Sequence, residues 1–196
     1  TRAPIAVVAS RHDKNIGLVL DELERLGLGQ STLVIYVGDN GYLLGHHGRF
    51  EKHTMWEQAV RVPLIIRRGS GQGQVKSRNA LVEFIDLVPT ILEVLKVPPM
   101  KDLQGKSLVP LIDGKTKTHR DSVFSEYLED NLVMLRTEEW KYVFTSGKAD
   151  LAIGYATGYP PPGITHWLYN LKQDPGETHN LAGNPQYQAK LVELQN

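Results

Sequence analysis

The chain has 196 residues, 41% of them hydrophobic, and its 22 Lys and Arg balance 22 Asp and Glu. That length supports one domain with a sizeable core, or one domain with a small appendage; basic residues run no longer than a pair, which argues against nucleic-acid binding. The absence of cysteine excludes disulfides, thiolate metal sites and a cysteine nucleophile on this chain.

No apolar run approaches the roughly 20 residues that a membrane-spanning helix needs, so no membrane span is expected, and the N-terminus lacks the basic-then-apolar pattern of a signal peptide. In "NIGLVLDELERLGLG", Ile16, Val19, Leu20, Leu23 and Leu26 recur at helical spacing with Asp21, Glu22, Glu24 and Arg25 opposite, and Gly27 stands at the C-terminal cap. The run Leu33 to Val37 is short, continuous and rich in β-branched residues, which suits a strand buried in a parallel sheet. Helix followed by buried strand predicts an α/β fold. "RVPLIIR", Arg61 to Arg67, reads as a second strand, with Pro63 confined to its edge or its first residues. In "FIDLVPTILEVLKV", Ile85, Val88, Ile91, Leu92 and Leu95 give a second packed helix, with Asp86 and Pro89 near its first turn.

From about residue 120 the pattern becomes antiparallel. "NLVMLRTEEWKYVFT" predicts a hairpin in which Trp140, Tyr142 and Phe144 alternate with Lys141, Val143 and Thr145, one face buried and one wet. "HWLYNL" offers a third strand, "QDPGE" a turn, and "NPQYQAKLVEL" a closing helix capped by Asn184 with Pro185 at its first position. Ser146 to Thr165, with its glycines and triple proline, reads as a long loop in which Tyr155 and Tyr159 sit. The division expected is therefore residues 1–119 as part of an α/β core and 120–196 as a small antiparallel subdomain with a closing helix.

The chemistry concentrates in "YVGDNGYLLGHHGRFEKH". Ligands of open α/β sheets bind beyond the carboxyl ends of strands, where Asp39 and Asn40 fall. A carboxylate and an amide carbonyl are hard donors suited to calcium, magnesium or manganese. The triplet Asp-Asn-Gly also reads as turn chemistry, with Gly41 at positive φ, and taken alone that is the simpler account. Lys52 follows with His46, His47 and His53 around it, a cluster able to stabilise a developing oxyanion and protonate a leaving group. Each of these, taken singly, also reads as a solvated side chain.

"TLVIYVGDNGYLLGHHGRFEKHTMWEQAVRVPLIIR", "EFIDLVPTILEVL", "LQGKSLVPLIDG" and "LYNLKQDPGETHNL" together resemble, in order, the sulfatase family of the alkaline-phosphatase-like superfamily. The resemblance implies a mostly parallel sheet flanked by helices, followed by a small antiparallel C-terminal sheet. It implies that Asp39 and Asn40 ligate a divalent cation, usually Ca2+ with Mg2+ or Mn2+ as alternatives, that Lys52 contacts the sulfate, and that His47 lines the substrate pocket. The implied substrate is a sulfate ester of a small molecule or glycan. The family's formylglycine nucleophile, made from a Cys/Ser-x-Pro-x-Arg motif, and its paired N-terminal aspartates have no counterpart in this sequence. The chain is therefore expected to be the C-terminal part of a longer sulfatase, inactive without an N-terminal half, in an exported, periplasmic or lysosomal setting. A phosphatase or phosphonate hydrolase of the same superfamily, or a non-catalytic sulfatase-like protein, remain as alternatives.

Overall fold

A computed structural model describes residues 3–69, 77–127, 131–148 and 163–196. Within the long loop predicted after the hairpin, residues 149–162, with Tyr155, Tyr159 and the triple proline, lie outside the described residues. The backbone divides into two compact units, residues 1–38 with 63–77, and 39–62 with 78–196.

The first unit holds α1 (Ala3–Arg25), β1 (Leu33–Val37) and β2 (Leu64–Arg68). Helix α1 ends as its sequence predicts. Gly27 adopts φ 68°, its N–H bonds Glu24 O at 3.0 Å, and the Leu28 N–H bonds Leu23 O at 2.9 Å, the paired bonds of a Schellman cap. Ile16, Leu20 and Leu23 are half-buried, whereas Val19 and Leu26 of the predicted stripe are exposed. Strands β1 and β2 form a two-stranded antiparallel sheet, Ile35 opposite Ile66. The parallel neighbours expected for β1 are not among its pairings, and all five of its residues are half-buried. A continuous apolar run reports burial tendency and carries no information about strand direction. Pro63 stands just ahead of β2, where it costs no ladder bond.

The second unit is built on a four-stranded antiparallel meander, β3 (Ser122–Tyr127), β4 (Leu132–Thr137), β5 (Trp140–Thr145) and β6 (Thr165–Asn170), in that spatial order. The hairpin β4–β5 and strand β6 follow the sequence pattern; β3, whose apolar alternation is weak, was not anticipated by it. Both faces of the sheet are covered. On one face Met134 and Val143 pack with Leu132 and Met55. On the other, Tyr142 and Leu168 meet Leu191 and Leu194 of α5 (Gln188–Gln195). The wet face predicted for β5 is therefore wrong: Lys141 has 0% exposure and Thr145 0%. The closing helix begins as expected, Asn184 Oδ1 accepting from Gln186 N across a short 3-10 turn, Pro185–Tyr187.

Helices α2 (Glu57–Val60), α3 (Leu87–Val94) and α4 (Val109–Ile112) complete this unit. In α3 the predicted apolar stripe is partly exposed, with Val88 at 44% and Leu95 at 58%. The face that packs inward is polar: Asp86 and Thr90 are both fully buried. Thr90 Oγ1 accepts from Leu108 N at 2.8 Å, tying α3 to the start of α4. Asp86 accepts from Glu83 N and Lys106 N, both at 2.9 Å, and from Arg120 Nε at 3.0 Å and Nη2 at 2.5 Å. Four donors from three segments thus converge on one carboxylate. Burial alone would raise its pKa, but Arg120 and the two backbone N–H groups hold it down at about 2.

Because the folded pKa of Asp86 lies below the free value of 3.8, its contribution to stability is present above about pH 4 and is lost as pH falls toward 2. That contribution is on the order of 2 kcal/mol. Urea unfolding from pH 6 to pH 2.5 is expected to show this loss in the native chain and a flatter profile in Asp86→Ala, which loses about 3–5 kcal/mol at neutral pH by stranding Arg120.

Candidate functional site

Asp39 and Asn40 follow β1 by two residues along the chain, Asp39 exposed and Asn40 half-buried. Asn40 N donates to Asp39 Oδ1 at 2.9 Å, a local turn-forming bond that leaves the other carboxylate oxygen and the Asn40 amide oxygen for a ligand. Gly41 is required for a reason other than the one predicted: it does not adopt positive φ. Its N–H bonds Ala59 O at 2.8 Å, and a Cβ there would stand 1.9 Å from Gln58 O. The loop thus presses against α2, and only glycine fits the approach. Leu43, fully buried, anchors the next residues.

The loop then turns through Gly45 (φ 95°), His47 (φ 52°) and Gly48 (φ 71°). The return segment is fastened by Leu43 N to Glu51 O at 2.7 Å, Gly45 N to Arg49 O at 2.9 Å, and the Tyr42 hydroxyl to Phe50 O at 2.6 Å. An open pocket results, lined by His47, Arg49, Phe50, Lys52 and His53 among others. Sequence-predicted His47 and Lys52 are therefore brought to one cavity, while Asp39 and Asn40 lie outside its lining. Lys52 is exposed. Arg49 is paired with Glu51 at 2.6 Å, and His53 Nδ1 is hydrogen-bonded to the Tyr127 hydroxyl of β3. His46 is exposed at the start of the 3-10 turn His46–Gly48. Among the described residues no group of three or more His, Cys, Asp or Glu is arranged to hold a metal ion.

His47 stacks face to face on Trp56, centroids 4.1 Å apart and planes within 7°. Burial lowers its pKa, helped by the positive charges of His46, Lys141 and Arg49 and opposed by Asp174. The same short segment reaches inward on both sides of Trp56: Met55 sits in the sheet core, and Glu57 enters a buried ion cluster. Lys141 Nζ lies 2.7 Å from Glu177 Oε1 and 3.1 Å from Glu57 Oε1, and Arg136 Nε lies 3.1 Å from the same Glu57 oxygen. Glu57 N donates to Glu177 Oε2 at 2.6 Å. Burial opposes ionisation of both carboxyls; at Glu57 the charges of Lys141 and Arg136 win and lower its pKa, whereas at Glu177 burial wins and raises it.

Glu177 reaches Lys141 because of the turn that carries it. Asp174 Oδ2 accepts from Thr178 N at 2.7 Å and His179 N at 2.8 Å, and Glu177 adopts φ 55°. "WEQAV", "EWKYVF" and "DPGETHN" are thus three ends of one electrostatic contact. Sequence reasoning missed Trp56, Lys141 and Glu177 as site supports; the signal was the lysine interrupting an otherwise apolar strand.

Solved structures share this backbone arrangement. One, solved with its substrate D-glucosamine-2-N,6-O-disulfate, superposes with a TM-score of 0.78 at 30% identity, covering 93% of this chain and 36% of that one. The phosphonate monoester hydrolase of Silicibacter pomeroyi superposes with a TM-score of 0.76 at 28% identity, over 93% of this chain and 37% of that one. The fold is therefore that of the C-terminal part of alkaline-phosphatase-like hydrolases. The chain belongs to the sulfatases: the family described as N-sulphoglucosamine sulphohydrolase, C-terminal, matches residues 45–196. It is 31% identical over 193 residues to N-acetylglucosamine-6-O-sulfatase of Bacteroides thetaiotaomicron, covering 93% of this chain and 32% of that protein. It is also 31% identical over 192 residues to human arylsulfatase K, covering 92% of this chain and 33% of that protein. The chain spans about a third of the length of these relatives.

Replacing Lys141 by Ala is expected to cost about 3–5 kcal/mol, because two carboxylates lose their buried counter-charge. Lys141→Met combined with Glu57→Gln and Glu177→Gln removes all three charges together, and its loss in urea unfolding should be well below the sum of the three single losses.

Proposed function

We propose that this chain is the C-terminal portion of a sulfatase that hydrolyses the sulfate ester of a sugar, with Lys52 and His47 facing the sulfate and Asp39 and Asn40 supplying two ligands of a divalent cation, Ca2+ first and Mg2+ or Mn2+ as alternatives. The observation that carries this reading is the pocket that gathers His47, Arg49 and Lys52 on one loop, in a chain whose relatives include sugar sulfatases. The donor set fits a hard cation: one carboxylate and one amide oxygen, adjacent and partly exposed, with no thiolate on the chain. Two such ligands make a partial site, so the remaining ligands and the nucleophile belong to an N-terminal half. A formylglycine there would supply the oxygen that attacks sulfur, and a bound cation would supply Lewis-acid neutralisation of sulfate charge.

The roles of the residues in this chain follow from their chemistry. The exposed Lys52 ammonium offsets negative charge on the sulfate and on the leaving oxygen as the S–O bond breaks. Burial holds the His47 pKa below the ordinary imidazole value, and the ring stands in the pocket lining, where an imidazole is the group suited to proton transfer with the leaving group. Arg49 is partly neutralised by Glu51 and acts mainly to shape the pocket rim. A second reading is a phosphonate or phosphate ester as substrate, since phosphonate monoester hydrolases share the fold. Asn40 counts against it, because a neutral oxygen donor suits one hard cation better than zinc.

Titration calorimetry with CaCl2 is expected to show binding by a longer form that includes the upstream half, binding abolished by Asp39→Ala. If that form binds no divalent cation, the Asp-Asn-Gly segment is turn chemistry and the metal-site reading fails. In the complete enzyme, Lys52→Ala should lower turnover of an aryl sulfate by roughly a hundredfold or more. A near-normal rate removes Lys52 from the site, and faster hydrolysis of a phosphonate than of a sulfate ester selects the second reading.

A further inference from the structure

Resting on the placement of His47 in the reaction site, we propose that Trp56 is the positioning residue of that site: its indole holds the His47 imidazole face to face and is itself pinned to the four-stranded sheet through Tyr169. Three observations carry this. The first is the stack, with centroids 4.1 Å apart and planes within 7°, which fixes the plane of the His47 ring. The second is the pin. The Trp56 indole is hydrogen-bonded to the Tyr169 side chain; an indole N–H only donates, so the Tyr169 oxygen accepts. Tyr169 is 5% exposed on β6, which makes it a fixed anchor. The third is the backbone on either side: Met55 is 2% exposed in the sheet core, and the Glu57 N–H is bound to Glu177 Oε2 at 2.6 Å.

The arrangement solves a mechanical difficulty of the loop. His47 sits on a segment with three positive-φ residues within four positions, Gly45, His47 and Gly48, and two of these are glycines whose backbone is intrinsically permissive. Such a segment does not fix a side chain by itself. Stacking on an aromatic ring that is anchored at its far edge supplies the missing constraint, and a misplacement of about 1 Å can cost about a hundredfold in rate. The charged groups that act on the His47 titration are His46 and Arg49 on its own loop, Lys141 on β5 and Asp174 on the turn after β6. Trp56 adds no charge to this set, so its removal changes solvation and position only.

The test reads His47 directly by NMR in the 196-residue chain. In the native chain the ring protons of His47 should be shifted upfield by the indole ring current, and its titration should lie below the ordinary imidazole value. Trp56→Leu is expected to abolish the upfield shift and raise the His47 pKa toward the ordinary value, whereas Trp56→Phe retains both. A folded Trp56→Leu with an unchanged His47 signal and titration overturns the proposal. Should Trp56→Leu fail to fold, Tyr169→Phe removes only the pin, and a His47 upfield shift that survives it in full overturns the pinning. In the complete enzyme, Trp56→Leu should lower kcat about a hundredfold and move the His47 limb of the pH profile upward, with Trp56→Phe recovering most of the rate. If His47→Ala leaves kcat/KM unchanged, the placement of His47 in the reaction fails, and the role of Trp56 in the reaction fails with it. If His47→Ala is impaired while Trp56→Leu keeps the native kcat and pH profile, positioning by Trp56 alone is overturned.

Discussion

The buried ammonium of Lys141 is the constraint on which the second unit depends. A lysine with no solvent exposure is tolerated only when its charge is answered at close range, and here the answering carboxylates are 84 residues before it and 36 after it in sequence, at Glu57 and Glu177. Neither carboxylate is local to β5, so the contact forms only when the loop-and-helix segment ahead of β2, the sheet, and the turn after β6 have all reached their places. With Arg136 included, two positive charges meet two negative ones, which leaves no net charge inside. Such clusters add little net stability over an apolar core but specify one arrangement over its competitors, and that is the property a site loop mounted on a sheet requires.

Asp86 does the same work at the other end of the unit. Its carboxylate collects donors from residues 83, 106 and 120, and the partner arginine also contacts Glu83 at 3.1 Å, whose Oε1 accepts from Phe124 N at 2.7 Å. The start of β3 is thereby fixed to the entry of α3 by charge-assisted bonds, which are shorter and stronger than neutral ones. The apolar core proper lies on the two sheet faces, and each of its clusters is small. Polar convergence at Lys141 and Asp86 supplies the long-range order that such small clusters leave undetermined.

This division explains what could be read from the sequence. Local rules carried far: the Schellman cap at Gly27, the hairpin β4–β5, the strand β6 and the start of α5 at Asn184 all depend on residues within a few positions of one another. The failures share a cause. Alternation places Lys141 on a wet face because it treats residue type as a proxy for environment, and a lysine paired with distant carboxylates breaks that proxy. The inward face of α3 is Asp86 and Thr90, polar residues that no apolar periodicity reveals. The direction of β1 relative to β2 has no local signature. At the candidate site, His47 and Lys52 line one pocket and Asp39 and Asn40 lie outside its lining, whereas the positions of Trp56 and Glu177 have no local signature, since their partners are side chains from remote segments.

The two left-handed non-glycine residues of this region sharpen the point. His47 and Glu177 adopt φ 52° and 55°, a conformation that costs an ordinary residue about 1 kcal/mol or more and that glycine adopts freely. Glycine at either position would relieve the backbone. At 177 it would also delete the carboxylate that answers Lys141, so the strain is offset by an ion pair that no glycine can make. At 47 the side chain makes no ion pair among the described residues; it stacks on Trp56 and lines the pocket. A chain that places glycine at 45 and 48 but histidine between them, in the same backbone region, accepts that cost for the imidazole itself. Such strain persists only where the surrounding structure over-determines it, and at 47 the contact that does so is the stack on Trp56.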